Sequence, residues 1–122
     1  MTGIVNSTGA RSGVIGTITS TPTSPVSTDK LIKAWISFNG TGTIAIRDSF
    51  NVSSITDNAV GNYYVDLTTA MSDTNYTLLT HNNAYGGGWS NAISSSRLQV
   101  YSRNYEGAAM VDAGYFWVTL HG

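Results

Sequence analysis

The chain has 122 residues, a formal net charge of −1, 11% charged residues and no cysteine. Its length suits one domain with one core. Its charge content is well under the roughly 25% of an average soluble domain, which argues against a basic surface for nucleic-acid phosphates, and the lack of cysteine excludes a disulfide framework or a thiolate metal site. Residues 2–6 carry no charged and apolar leader pattern, and no stretch has the length of a membrane-spanning helix. The chain therefore reads as a complete product, soluble, made in a cytoplasm, with neither nucleic acid nor membrane insertion among its partners. Serine, threonine, asparagine and glycine take the place of charge, and these residues favour turns and strand surfaces over helices.

Residues 1–29 differ from the rest. They contain no aromatic residue and hold both prolines, in Thr19-Ser20-Thr21-Pro22-Thr23-Ser24-Pro25-Val26-Ser27-Thr28. Proline fixes φ and removes a donor, so this piece reads as extended or polyproline-like. Ile4, Val5, Val14, Ile15 and Ile18 are its apolar anchors, and Arg11 is its only charge before Asp29-Lys30. Such a segment cannot form a core alone. It is either a disordered tail or an arm that orders on a partner or on neighbouring copies, and the second reading is favoured.

Residues 30–122 read as the folded head. Ile32, Ala34, Ile36 and Phe38 share one face of a strand, with Lys33, Trp35 and Ser37 on the other. Asn39-Gly40-Thr41-Gly42 is a hairpin turn whose glycines supply positive φ angles. Ile44 and Ile46 share a face of the return strand. Arg47-Asp48-Ser49 interrupts the apolar run, and Phe50, Val52 and Ile55 resume it through a bulge. Asp57-Asn58 and Gly61-Asn62 bracket the next turn. Tyr63, Val65 and Leu67 then face the core, opposite Tyr64 and Asp66.

Residues 68–74 form a connection around Met71. In 75–81, Tyr76 and Leu78 lie opposite Leu79. Residues 82–91 carry the longest loop signal, and 92–96 are ambiguous around Ile93. In 97–103, Leu98 and Val100 lie opposite Gln99 and Tyr101. A second loop spans 104–114. Phe116, Val118 and Leu120 face inward in the last strand. Seven or eight short strands separated by turns predict an all-β fold, an antiparallel, jelly-roll-like β-sandwich.

Trp35, Tyr64, Tyr101, Tyr115 and Trp117 fall opposite the core-facing residues. Exposed aromatics promote association and are enriched at interfaces. Trp35, Tyr64, Tyr101 and Trp117 are therefore candidates for a homo-oligomer interface, unless the sandwich buries some of them or the register is shifted by one, which flips every face. Tyr85 and Trp89, on a glycine tether flanked by asparagines, and Tyr105 in the next loop are candidate ligand contacts. Sugar rings stack on such aromatics; the competing reading tucks them over the sandwich end or a neighbouring subunit.

Catalytic chemistry has no motif here. His81 and His121 read as surface or capping histidines outside any metal-ligand spacing. Asp48, Asp57, Asp66, Asp73, Glu106 and Asp112 are scattered, mostly at turns, where they cap backbone donors. No P-loop, EF-hand loop or dinucleotide fingerprint occurs, and no cofactor is implied. Asn6, Asn39, Asn51 and Asn75 begin N-x-Ser/Thr triplets that arise by chance in so hydroxyl-rich a chain.

Lys33-Ala34-Trp35-Ile36-Ser37-Phe38-Asn39-Gly40-Thr41-Gly42-Thr43 resembles a recurrent module of bacteriophage virion surface proteins. The resemblance continues through Ile46–Asn58, Gly61–Val65 and Met71–Tyr76, and residues 3–16 are similar to the segment that precedes the module. Ala59-Val60 departs from it, standing where a glycine is expected. Related modules form small trimeric head-decoration (cement) proteins and the heads of tail fibres. The resemblance implies a non-enzymatic structural protein on the virion surface, assembled in the host cytoplasm. The size favours cement: a homotrimer whose arm, through Ile4, Val5, Arg11, Val14, Ile15 and Ile18, grips the major capsid protein. The alternative is a receptor-binding tip contacting host surface glycans.

Overall fold

In the computed structural model the described residues are 31–84, 87–104 and 109–122. They form eight strands: β1 (Ile32–Asn39), β2 (Ala45–Phe50), β3 (Val52–Ala59), β4 (Asn62–Leu67), β5 (Thr77–Asn82), β6 (Gly88–Ser94), β7 (Arg97–Ser102) and β8 (Phe116–His121). Two four-stranded antiparallel sheets result, ordered β2-β1-β8-β5 and β3-β4-β7-β6. The all-β sandwich expected from the alternation is present, at the upper strand count. The arm residues Ile4, Val5, Arg11, Val14, Ile15 and Ile18 lie outside the described residues.

The core comes from the central strands. Ala34, Ile36 and Phe38 of β1 and Phe116, Val118 and Leu120 of β8 meet Tyr63, Val65 and Leu67 of β4 and Leu98 and Val100 of β7, all buried. Two strands per sheet have neighbours on both sides, so their inward residues are sealed from water, while edge strands β2 and β3 are mostly exposed. At the centre, Phe38 stacks on Phe116 at 4.6 Å, and Tyr63 meets both rings edge-on at 5.3 Å. Edge-to-face geometry places ring hydrogens against π faces.

Tyr63 also brings a polar group into this core. Its hydroxyl donates to Asp112 Oδ1 at 2.7 Å and lies 2.8 Å from the Gly40 carbonyl. Burial, reinforced by the Asp112 carboxylate, pushes the phenol far above its ordinary pKa, so it remains a donor. Asp112 also accepts from the Gly61 amide at 2.8 Å. One carboxylate thereby ties the β1–β2, β3–β4 and β7–β8 connections together at one end of the sandwich.

The turns correct two expectations. Gly42 has φ +61° as the hairpin requires. Gly40 is needed for space instead: a Cβ there would lie 2.5 Å from the Tyr63 hydroxyl. After β3, the positive φ falls on Gly61 (+62°), so the strand runs through Ala59 and the turn comes later than the sequence suggested.

Phe50 is a third correction. It does not rejoin the core with Val52 and Ile55. A bulge between Ser37 and Phe38 leaves Arg47 unmatched, which places Asp48 opposite Ser37 and Phe50 opposite Trp35, on the outer face. Asn51, at φ +59°, then turns the chain into the other sheet, where Val52 and Ile55 pack on the core. Ile32 and Ile46 are likewise exposed rather than buried, being at a strand start and on an edge.

The expected 82–91 loop is shorter than its composition suggests. Asn82 is a buried strand residue whose Oδ1 accepts from the Ala84 amide, closing the turn at once. Gly88 already belongs to β6, and a Cβ on it would lie 2.9 Å from the Tyr101 carbonyl. Gly88 permits close strand approach, and Trp89 and Ile93 are strand residues.

Candidate functional site

The outward residues of each sheet follow from register, because directly paired residues share a face. On the β2-β1-β8-β5 sheet one row reads Phe50, Trp35, Thr119, Leu79 and the next Asp48, Ser37, Trp117, His81. Phe50 is 54% exposed, Leu79 60%, Tyr115 46% and Trp117 42%. The rings form a ladder. The Arg47 guanidinium lies 4.0 Å over Tyr115, Tyr115 stacks on Trp117 at 5.6 Å, and Trp117 stacks on His81 at 5.4 Å. Stacking orders the rings against one another but leaves their outer edges in water. The charged groups of this face are bonded locally or lie over a ring: Asp48 accepts from the Ser49 amide, Lys33 donates to the Gly122 carbonyl oxygen at 2.5 Å, and Arg47 lies over Tyr115.

The β3-β4-β7-β6 sheet presents rows of another kind: Ser54, Asp66, Arg97, Ser94; then Thr56, Tyr64, Gln99, Asn91; then Ala59, Asn62, Tyr101, Trp89. Here the side chains satisfy one another. Arg97 grips Asp66 through two bonds of 2.6 and 2.9 Å, and Ser54 donates to the same carboxylate. The Arg97 contact holds the Asp66 carboxyl below its ordinary range. Gln99, itself buried, donates to Asn62 at 2.8 Å. Guanidinium groups lie over two of its rings: Arg97 is 5.1 Å over Tyr64, and Trp89 has Tyr101 at 5.2 Å and Arg103 at 4.6 Å, though Trp89 is still 39% exposed and Ile93 on the same strand 45%.

The four interface candidates point outward, as the alternation required, but not together. Trp35 and Trp117 lie on one outer face, and Tyr64 and Tyr101 lie on the opposite one. Period-two alternation separates in from out; it does not say which sheet a strand joins. The exposed apolar contribution of Phe50 was hidden because the expected bulge was read as returning Phe50 to the core, whereas its position at Arg47 turns Phe50 outward. That of Leu79 was visible only as its position opposite Leu78. Of the candidate ligand contacts, Trp89 lies on the second face, half-covered by its neighbours, while Tyr85 and Tyr105 lie outside the described residues.

The remaining polar groups act locally. Asp73 caps the Asn75 amide, and His121 Nε2 lies 3.1 Å from the Thr119 hydroxyl. Asn39 and Asn51 shape turns: Asn39 bonds Thr41 at both backbone and hydroxyl, and Asn51 bonds Lys33 and Thr69. Among the described residues no group of three or more His, Cys, Asp or Glu side chains is placed to hold a metal ion. In comparisons with known proteins, no family model, no curated protein and no solved structure matched the chain.

Proposed function

We propose that this chain is a non-enzymatic structural protein of a bacteriophage virion surface, a head-decoration protein that works as a homotrimer. The observation that supports it is the Arg47–Tyr115–Trp117–His81 ladder with Leu79 beside it, aromatic and apolar side chains left partly in water on one outer face. Transfer of a large apolar side chain from water is worth about 1.5–3 kcal/mol when complete. Several partly exposed ones on one face therefore favour burial against another copy. Trp35 and Trp117 carry that interface; Tyr64 and Tyr101, on the other face, do not.

Residues 1–29 precede β1, a strand of this same sheet, so three associated heads would hold three arms at one end of the assembly. Ile4, Val5, Val14, Ile15 and Ile18, with Arg11, would then lie across the major capsid protein. Many weak contacts on a repeating shell add through high effective concentration. The resemblance of 33–43, 46–58, 61–65, 71–76 and 3–16 to virion modules suggests the biological setting.

A tail-fibre or receptor-tip reading has one observation in its favour, the amide and aromatic groups around Trp89, Tyr101, Asn62 and Gln99, which are of the kind that meets glycans. Immunogold labelling of intact virions separates the two. Label spread regularly over the head is the expected result; label confined to the tail overturns the decoration reading. Deletion of residues 1–18 is expected to abolish capsid binding while the head keeps its strand signature by circular dichroism. Retained binding would remove the arm from the mechanism.

A further inference from the structure

The end of the sandwich where β1 begins carries an open groove of about 580 Å³. Phe50, Met71 and Ala70 line it together with Asn51, Thr69 and Lys33. Its frame is tightly bonded. Asn51 Nδ2 donates to the Lys33 and Thr69 carbonyls at 3.1 and 3.0 Å, and its Oδ1 accepts from the Thr69 amide at 2.7 Å. The Met71 amide donates to the Ser95 carbonyl at 2.7 Å. With these backbone groups already paired, a visitor would find mainly carbon surface, of which Phe50 is 54% exposed. Leu31 and Ile32, close to the same end, are about half exposed as well, at 48% and 47%.

The groove opens beside the point where thirty further residues join the described chain. The nearest apolar residues upstream are Pro22, Pro25 and Val26, in Pro22-Thr23-Ser24-Pro25-Val26, and Val26 is the only aliphatic residue between Ile18 and Leu31. A polyproline II helix repeats every three residues, so Pro22 and Pro25 fall on one edge with Val26 beside them. Such a segment offers rigid carbon rings, has few backbone donors to satisfy and loses little entropy on docking; grooves with an aromatic wall take it for those reasons. From Pro25 to Lys33 an extended chain spans at most roughly 29 Å, and a tether this short gives an effective concentration on the order of millimolar.

We infer that Pro22–Val26 of the same chain docks in the Phe50–Met71 groove as a polyproline-like strap. The arm is then two parts: residues 22–26 are held on their own head, and residues 1–18 reach outward from a fixed point. This inference is independent of what the outward part binds.

The chain has no cysteine, so introduced pairs report unambiguously. In the full-length protein, Val26→Cys is combined with Ala70→Cys in the groove, or with Val60→Cys, which is 59% exposed at the opposite end of the sandwich. Both partner positions are exposed, so neither replacement disturbs the core. Under mild oxidation the 26–70 pair is expected to close within one chain at least tenfold faster than the 26–60 pair. Adding Pro22→Gly and Pro25→Gly is expected to slow 26–70 closure several-fold. A 26–70 rate unchanged by the two glycine replacements, or no closure at 26–70, would overturn the docking. A disulfide mainly between chains would overturn the choice of occupant, showing that a neighbouring copy's segment fills the groove.

Discussion

The two outer faces of the sandwich are built from similar material and differ in what their side chains do for each other. On the β3-β4-β7-β6 face a guanidinium lies over Tyr64 and another over Trp89, the Asp66 carboxylate is matched by Arg97, and the Gln99 amide is matched by Asn62. On the β2-β1-β8-β5 face the rings stack in a line, and Phe50, Leu79 and Trp117 keep much of their apolar surface in water. An aromatic residue opposite the core is therefore not by itself a sign of an interface. The faces differ in what their rings meet: mainly other rings on one, guanidinium and amide groups on the other.

The largest effect expected from this difference is on assembly. Trp117→Lys places a charge in the middle of the ladder, and sedimentation is expected to report a threefold drop in particle mass, from trimer to monomer. Tyr101→Lys, on the other face, is expected to leave the mass unchanged. A reversed outcome would move the interface to the satisfied face.

Stability discriminates next. Asn62→Ala strips the buried Gln99 amide of its acceptor, and an unpaired buried polar group costs about 1–3 kcal/mol. Denaturant unfolding is expected to show that loss, whereas Ser37→Ala, on the aromatic face, is expected to stay within about 0.5 kcal/mol. Similar losses at both positions would erase the contrast between a self-bonded face and an open one.

The smallest effect concerns acid. Asp66 has its carboxyl pKa depressed in the folded state, chiefly by the Arg97 bond. Its contribution to stability is thus fully present above the unfolded-state value, near 3.9, and fades as pH falls through the depressed folded value. Asp66→Asn is expected to flatten the fall of stability in that acid window. An unchanged acid profile would mean that solvent screening leaves this ion pair without measurable weight.

Much of the fold was legible in the sequence. Alternation placed Ala34, Ile36 and Phe38, then Tyr63, Val65 and Leu67, then Phe116, Val118 and Leu120, on the inner side of their strands, where the structure has them buried. It failed where a single extra residue intervened. The break at 47–49 suggested a bulge, but its position at Arg47, which sends Phe50 outward, is set by the pairing of β2 against β1. It also failed in 82–91, where composition suggested a free loop and Gly88 serves close approach to β7.

The sequence by itself determined the strand content, the inward set of residues and the outward position of the aromatics, because the two-residue period of an extended chain is a local property. Only the tertiary structure decided which outward residues are neighbours. Trp35 and Tyr64 have the same local pattern, yet β1 pairs with β8 and β4 with β7, so they look out from opposite sides. Strand pairing is a contest among all segments for one shared core, and its outcome is not written in any of them singly. That pairing aligned the ladder on one face, set guanidinium groups over Tyr64 and Trp89 on the other, and opened the Phe50–Met71 groove beside the entry of residues 1–30.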